Sequence, residues 1–342
     1  MPDLWTPATL QLTSAILLIA WLIDDLVGYP AALFKQIGHP VTWIGALISM
    51  LDRQLNRDTQ SFWQRRLLGT LALGLILLPT VGAAIILQWT LIHHLPMPLA
   101  CAILGLFSAT LIAQKSLRDH VVAVVMGLHQ TGLQGGRDAV AMIVGRDTTQ
   151  LDEAGVSRAA IESLAENAAD GIIAPACWCL LFGLPGLVFY KAVNTADSMI
   201  GHKSDRHHAF GWAAARLDDL INLPCSRLTA LLFAAAALVT PNASAKQALV
   251  SIWRDAGKHQ SPNAGWPEAA MAGALGFALG GPRSYDGEVI DLPTMGQGRA
   301  DLTQQDITRS LVLFRRAMLV MLFLIGIICA AAQALQVDGS AL

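Results

Sequence analysis

Charge is scarce in this chain: only 14% of its residues are Asp, Glu, Lys or Arg, and the net charge at pH 7 is −2. No long basic run occurs, so neither composition nor patterning supports nucleic-acid binding. Cysteines are few as well, and Cys101, Cys177, Cys179, Cys225 and Cys329 lie mostly in apolar sequence. Cys177 and Cys179 have no second ligand pair nearby, which leaves neither a zinc site nor a disulfide framework supported. GxxxxGK[ST] is absent, so the chain is not a P-loop enzyme, and Gly135-Gly136-Arg137 reads as a plain turn. No internal repeat or low-complexity linker appears, and residues 1–342 are treated as a single integral-membrane domain. The head before the first apolar run lacks Lys and Arg, which favours an uncleaved membrane helix over a secretory signal.

What is abundant is apolar sequence, with 54% hydrophobic residues and a mean hydropathy of +0.49. The expected fold is an all-α polytopic membrane protein in the lipid bilayer. Four spans are clear, at about 8–23, 67–92, 98–113 and 317–335. Two marginal segments, 172–190 and 227–240, read as broken or re-entrant. The first carries Pro175, Gly183, Pro185 and Gly186. The second has too short an apolar run for the ~20 residues a spanning helix needs. Basic residues set the expected sidedness. Lys35, Arg53, Arg57, Arg65 and Arg66 place the Asp24–Arg66 loop inside. A crossing at 172–190 would put Lys191, Lys203, Arg206 and Arg216 outside, against that rule, and a broken segment would keep them inside.

Polar groups concentrate between Arg146 and Asn222. Ser157 is expected to cap a helix that Gly171 closes, and Glu162, Glu166 and Asp170 recur on it every four residues. Lys191, Asn194 and Ser198 share a second face, with Asp197 beside them, and Arg216, Asp218, Asp219 and Asn222 form a third cluster. A solvated face is the bland alternative, with Arg158 and Glu162 as a weak pair of roughly 0.3 kcal/mol. So many polar groups in so uncharged a chain favour a site. His202, His207 and His208 lie beside Lys203 and Asp205 and read as a polar loop rather than a zinc site.

Five stretches carry a family resemblance: GHPVTWIG (Gly38 to Gly45), GRDT (Gly145 to Thr148), ESLAENAADGIIAP (Glu162 to Pro175), the run from Tyr190 to Asn222, and SPNAGWPEAAMAGALG (Ser261 to Gly276). In that order they resemble the CobD/CbiB family of adenosylcobinamide-phosphate synthases. The resemblance implies a ligase of cobalamin biosynthesis in the bacterial inner membrane, with its active face cytoplasmic. It would join adenosylcobyric acid to (R)-1-amino-2-propanol or its O-phosphate. ATP and Mg²⁺ are the implied co-substrate and cofactor, the corrinoid and amino alcohol the substrates, and other cobalamin-pathway enzymes possible contacts.

On this reading Glu162, Glu166, Asn167, Asp170, Asn194 and Ser198 are the catalytic candidates. Arg146, Lys191, Arg216, Asn222, Asn263 and Glu268 would bind substrate or phosphate, and Asp197, Asp218 and Asp219 the metal. Two other classes compete: a non-catalytic signalling modulator of the AmpE type, which would not need all three clusters, and a small-molecule transporter. Against a transporter, the clear spans carry almost no charge and show no inverted repeat.

Overall fold

A computed structural model describes residues 6–145, 147–281, 283–285, 288–290 and 293–339, with side chains described outside 282–292 and 337–342. Its helices are α1 (Pro7–Leu26), α2 (Ala31–Ile37), α3 (Pro40–Leu55), α4 (Phe62–His94), α5 (Met97–Ala109), α6 (Gln114–Val140), α7 (Glu153–Ala168), α8 (Ala174–Ile200), α9 (Trp212–Ala237), α10 (Ala245–Asp255), α11 (Gly265–Leu275) and α12 (Gln304–Gly339). A π-helical turn, Ala169–Ile173, joins α7 to α8. Two short antiparallel ladders accompany the helices: β1 (Leu279–Gly280) with β4 (Thr294–Met295), and β2 (Arg283–Tyr285) with β3 (Glu288–Ile290).

Six helical stretches among the described residues are long and apolar enough to cross a membrane. The chain is an all-α, multi-pass membrane protein. Contacts divide it into two compact units: Met1–Ala113 with Ala174–Asn222 and Leu324–Leu342, and Gln114–Ile173 with Leu223–Phe323.

In the first unit α1 packs on α5 and α8, and α4 on α3 and α8. Close approach needs small residues where backbones meet. A Cβ on Gly69 of α4 would lie 1.8 Å from the Phe210 carbonyl oxygen, a backbone atom that cannot swing away. Ile48, Ile76, Ala192, Ala196 and Phe210 form the buried apolar cluster around that contact. Gly69→Ala is expected to lose about 1–3 kcal/mol through overpacking. Thermal unfolding in detergent reads this out, and an unchanged midpoint would remove the contact from the account.

The 172–190 segment is broken, as its composition indicates. Gly183 has φ +67° and ψ −150°, a conformation open to glycine, and the chain reverses there. The Trp178 and Phe189 rings lie 5.4 Å apart, although eleven residues of straight helix would separate them by about 16 Å. The amide of Leu184, just past the break, donates to Gln88 Oε1 on α4 at 2.9 Å, as membrane-type sequence requires of a freed backbone group. Residues 184–200 therefore run back alongside 174–182. Gly132 (φ +70°) interrupts α6 in the same way, bringing Gly127 against Gly135.

The 227–240 segment differs from the expectation of a short, broken span. Its residues 227–237 are the latter part of α9, a 26-residue helix that starts at Trp212 and runs through its charged turn. Apolar run length stops at Arg227, whereas helix propensity does not, because Leu, Ala and Arg all favour helix.

In the second unit α7 packs on α6 and α11, and α10 on α11. Two expected helix ends move. Asp152, not Ser157, caps α7: its Oδ1 accepts the Gly155 amide at 2.7 Å, and Ser157 is buried within the helix. Gly171 does not close the helix, because the π turn carries the chain on into α8.

Candidate functional site

The first unit assembles one polar chain from α8 and α9. Tyr190, fully buried, donates its hydroxyl to Asn222 Oδ1 at 3.0 Å. That fixes the Asn222 amide, whose Nδ2 donates to Asp218 Oδ2 at 3.0 Å. The other carboxylate oxygen, Oδ1, accepts from Asn194 Nδ2 at 3.3 Å. Asp218 is thus a buried carboxyl group with each of its two oxygens met by a neutral amide, and Lys191 lies in the same unit.

Residue spacing does not reveal Tyr190 or His39 as members of this group. His39 caps α3, its Nδ1 accepting the Val41 amide at 3.2 Å, and its ring meets Tyr29 at 4.4 Å. Burial first, and then the charge of Lys191, push the His39 pKa down, so near neutral pH the ring is uncharged.

Around this buried chain lie more exposed groups. Ser198 donates to the Asn194 carbonyl at 2.9 Å, and Asp197 is half-buried. Arg216, with its side chain 66% exposed, approaches Asp219 at 3.5 Å. In the adjoining loop His207 faces Asp52 at 3.5 Å. Among the described residues no group of three or more His, Cys, Asp or Glu is arranged to hold a metal ion. Asp218 and Asp219 are consecutive helical residues, about 100° apart around the axis, so they do not converge on one point. Each of these carboxylates can offer only its own oxygens to a cation. They suit Mg²⁺ only where phosphate oxygens and water supply most of the ligands.

Tyr190→Phe keeps the ring and removes the donor, leaving Asn222 Oδ1 buried without it. The expected loss is about 1–3 kcal/mol of stability. An unfolding midpoint equal to the parent's would show that the hydroxyl does not anchor the chain.

In the second unit the candidates divide by exposure. Glu162 is buried, and its Oε1 accepts the Gly280 amide at 2.6 Å while Arg158 approaches the Gly280 carbonyl at 3.4 Å. These two residues of α7 clamp both sides of one glycine in β1. Glu166 and Asn167 are exposed and Asp170 half-buried. Asn167 Nδ2 donates to Ser163, whose hydroxyl donates to the Ile143 carbonyl at 2.8 Å. That contact ties the exposed end of α7 to the turn before the GRDT stretch. Within the stretch, Asp147 Oδ1 accepts both the amide and the hydroxyl of Thr149, and these bonds lower its pKa. Arg146 lies outside the described residues.

Asn263 and Glu268 are also buried in this unit. Asn263 Oδ1 accepts from Ser226 at 3.2 Å and Arg227 at 3.4 Å, and the Arg227 guanidinium stacks over Trp266. Glu268 lies 3.8 Å from His259. Asn263 ties α9 to the segment that leads into α11.

A family model described as CobD/Cbib protein matches residues 17–314. The chain belongs to the CobD/CbiB family. It is 48% identical over 315 residues to the cobalamin biosynthesis protein CobD of Rhodobacter capsulatus, covering 92% of this chain and 97% of that protein. The CobD protein of a Sinorhizobium species is 50% identical over 313 residues, covering 90% and 95%. That of Rhizobium meliloti is 47% identical over 312 residues, covering 90% and 94%. No solved structure matches the chain. In this family member both ends of the Tyr190–Asn222 stretch join one buried hydrogen-bonded chain.

Proposed function

We propose that this chain acts in cobalamin biosynthesis as an acid–amine ligase of the bacterial inner membrane, working from the cytoplasmic face. Its reaction would join the free propionate carboxylate of adenosylcobyric acid to (R)-1-amino-2-propanol or its O-phosphate. The observation that carries the reading is near 50% identity to CobD proteins over about nine-tenths of the chain.

A carboxylate must be activated before an amine attacks it. The γ-phosphoryl group of ATP, bound with Mg²⁺, would pass to the propionate and release ADP. The amine nitrogen then forms the C–N bond, inorganic phosphate leaves with the C–O bond, and the ammonium proton passes to a base. Lys191 and Arg216 meet the phosphate oxygens, the arginine able to engage two of them. Asp218 balances the charge of Lys191 and, with Asn222 and Tyr190, fixes the direction in which Asn194 presents its amide. Asp219 and Asp197 offer carboxylate oxygens to a phosphate-bound cation. On α7 of the second unit the exposed Glu166 is the carboxylate suited to taking up a proton, with Asn167 and Asp170 beside it.

Purified protein in nanodiscs, given adenosylcobyric acid, ATP, Mg²⁺ and either amine, should yield the product mass of acid plus amine less one water. It should also yield one ADP per product. No product with either amine, from protein that is monodisperse and folded, would refute the ligase reading and favour the AmpE-type modulator.

A further inference from the structure

Helix α10 has two faces, and only one is covered. Ala248, Ser251, Ile252 and Asp255 are buried, the last holding Arg254, Lys258 and the Gly296 amide. The opposite face exposes Leu249, Val250 and Trp253, with Trp253 84% exposed, the highest value among the described large apolar side chains. The spacing 246, 249, 250, 253 is one helical stripe, and Lys246 and Arg254 border it. An apolar stripe with an outward tryptophan and basic margins is the pattern of a helix lying in a membrane interface.

The same unit fixes the level at which α10 lies. The connector 238–244 links it to the end of α9, a helix apolar enough to span, and Leu238 and Val239 there are 77% and 65% exposed. Arg316 donates to the Val239 carbonyl, and Arg309 to the Asn242 carbonyl at 3.3 Å. Arg315 and Arg316 stand directly before the apolar run of α12. The end of one span, the start of another and α10 thus share one basic level, where positive side chains meet anionic headgroups.

We propose that the outer face of α10 lies in the bilayer interface, with Leu249, Val250 and Trp253 among the acyl chains and Lys246 on anionic headgroups. The occupant of this surface is the lipid leaflet itself. This surface is independent of the ligase reading and involves none of its residues.

The test places a nitroxide on Trp253→Cys, and separately on Val250→Cys, in full-length protein reconstituted into vesicles. The native cysteines are buried or half-buried, and wild-type protein labelled in parallel gives their background. Asp147→Cys, on an exposed loop, serves as the aqueous reference. In phosphatidylglycerol-containing vesicles both α10 sites should collide several-fold less with a water-soluble nickel chelate than the reference does, and more with oxygen. Protection should be weaker in pure phosphatidylcholine. Chelate access matching the Asp147 site overturns the proposal. So does protection accompanied by spin–spin broadening that vanishes on dilution with unlabelled protein, which would make the cover a second copy of the chain. Equal protection in both lipids overturns the anionic-headgroup contact.

Discussion

Asp218→Asn is expected to lower turnover by on the order of 10²-fold, the scale of losing one aligned charge-stabilising group, while the protein still inserts and purifies as a folded species. The substitution turns one acceptor oxygen into an NH₂. Asn222 cannot readily turn to meet it, because Tyr190 already donates to its Oδ1 at 3.0 Å. Asn194 is half-buried and can flip, so the chain of hydrogen bonds closes again without the carboxyl. What is lost is the acidic group beside Lys191. A double-mutant cycle separates this from mere loss of packing: in a Lys191→Ala background, Asp218→Asn should add little further loss. Near-parental turnover in Asp218→Asn, or full additivity with Lys191→Ala, would break the proposed coupling. Glu166→Gln, on an exposed side chain, should lower turnover with no change in unfolding midpoint.

Some of this was legible in the chain and some was not, for reasons tied to range. The broken segment could be read because its cause is local: Gly183 and Pro185 interrupt an apolar run, and the reversal falls on that glycine. The cap of α7 went to Asp152 rather than Ser157 because both side chains can cap, and only packing chooses between them. Glu162 looks like one of three equivalent carboxylates by spacing. Its partner, Gly280, is 118 residues away, and no local pattern announces that clamp. Asn263 and Glu268 sit in a matching motif and are buried, and the Ser226 and Arg227 partners of Asn263 lie far from it in the chain, so no local pattern announces them. Tyr190 and His39 escaped because each is a single residue in apolar or turn sequence. Their role depends on which helix lies opposite.

Ser204→Cys is expected to react with an impermeant thiol reagent only after cells are permeabilised, because the loop that carries it is fastened to the basic segment between α1 and α4. Arg206 pairs with Asp52 at 2.8 Å, and the Arg206 carbonyl accepts from Asn56 at 3.1 Å and from the Arg65 guanidinium. Hydrogen bonds from Asn56 and Arg206, joined by the charges of Arg206 and His207, outweigh burial and hold the Asp52 carboxyl below its ordinary pKa, so this tie stays ionised at neutral pH. Lys35, Arg53, Arg57, Arg65 and Arg66 are the basic residues from which the inner side is expected for that segment. The reversal at Gly183 agrees with this, since residues 184–200 run back toward the side from which 174–182 came. A straight crossing at 172–190 would instead place Ser204 about 30 Å of hydrocarbon away from that side. Ser204 is exposed, so the reagent can reach it once it has access. Parallel labelling of wild-type protein subtracts the native cysteines. Full labelling in intact spheroplasts would place the loop outside and remove Lys191 and Arg216 from reach of cytoplasmic ATP, ending the proposed mechanism whatever the activity of the purified protein.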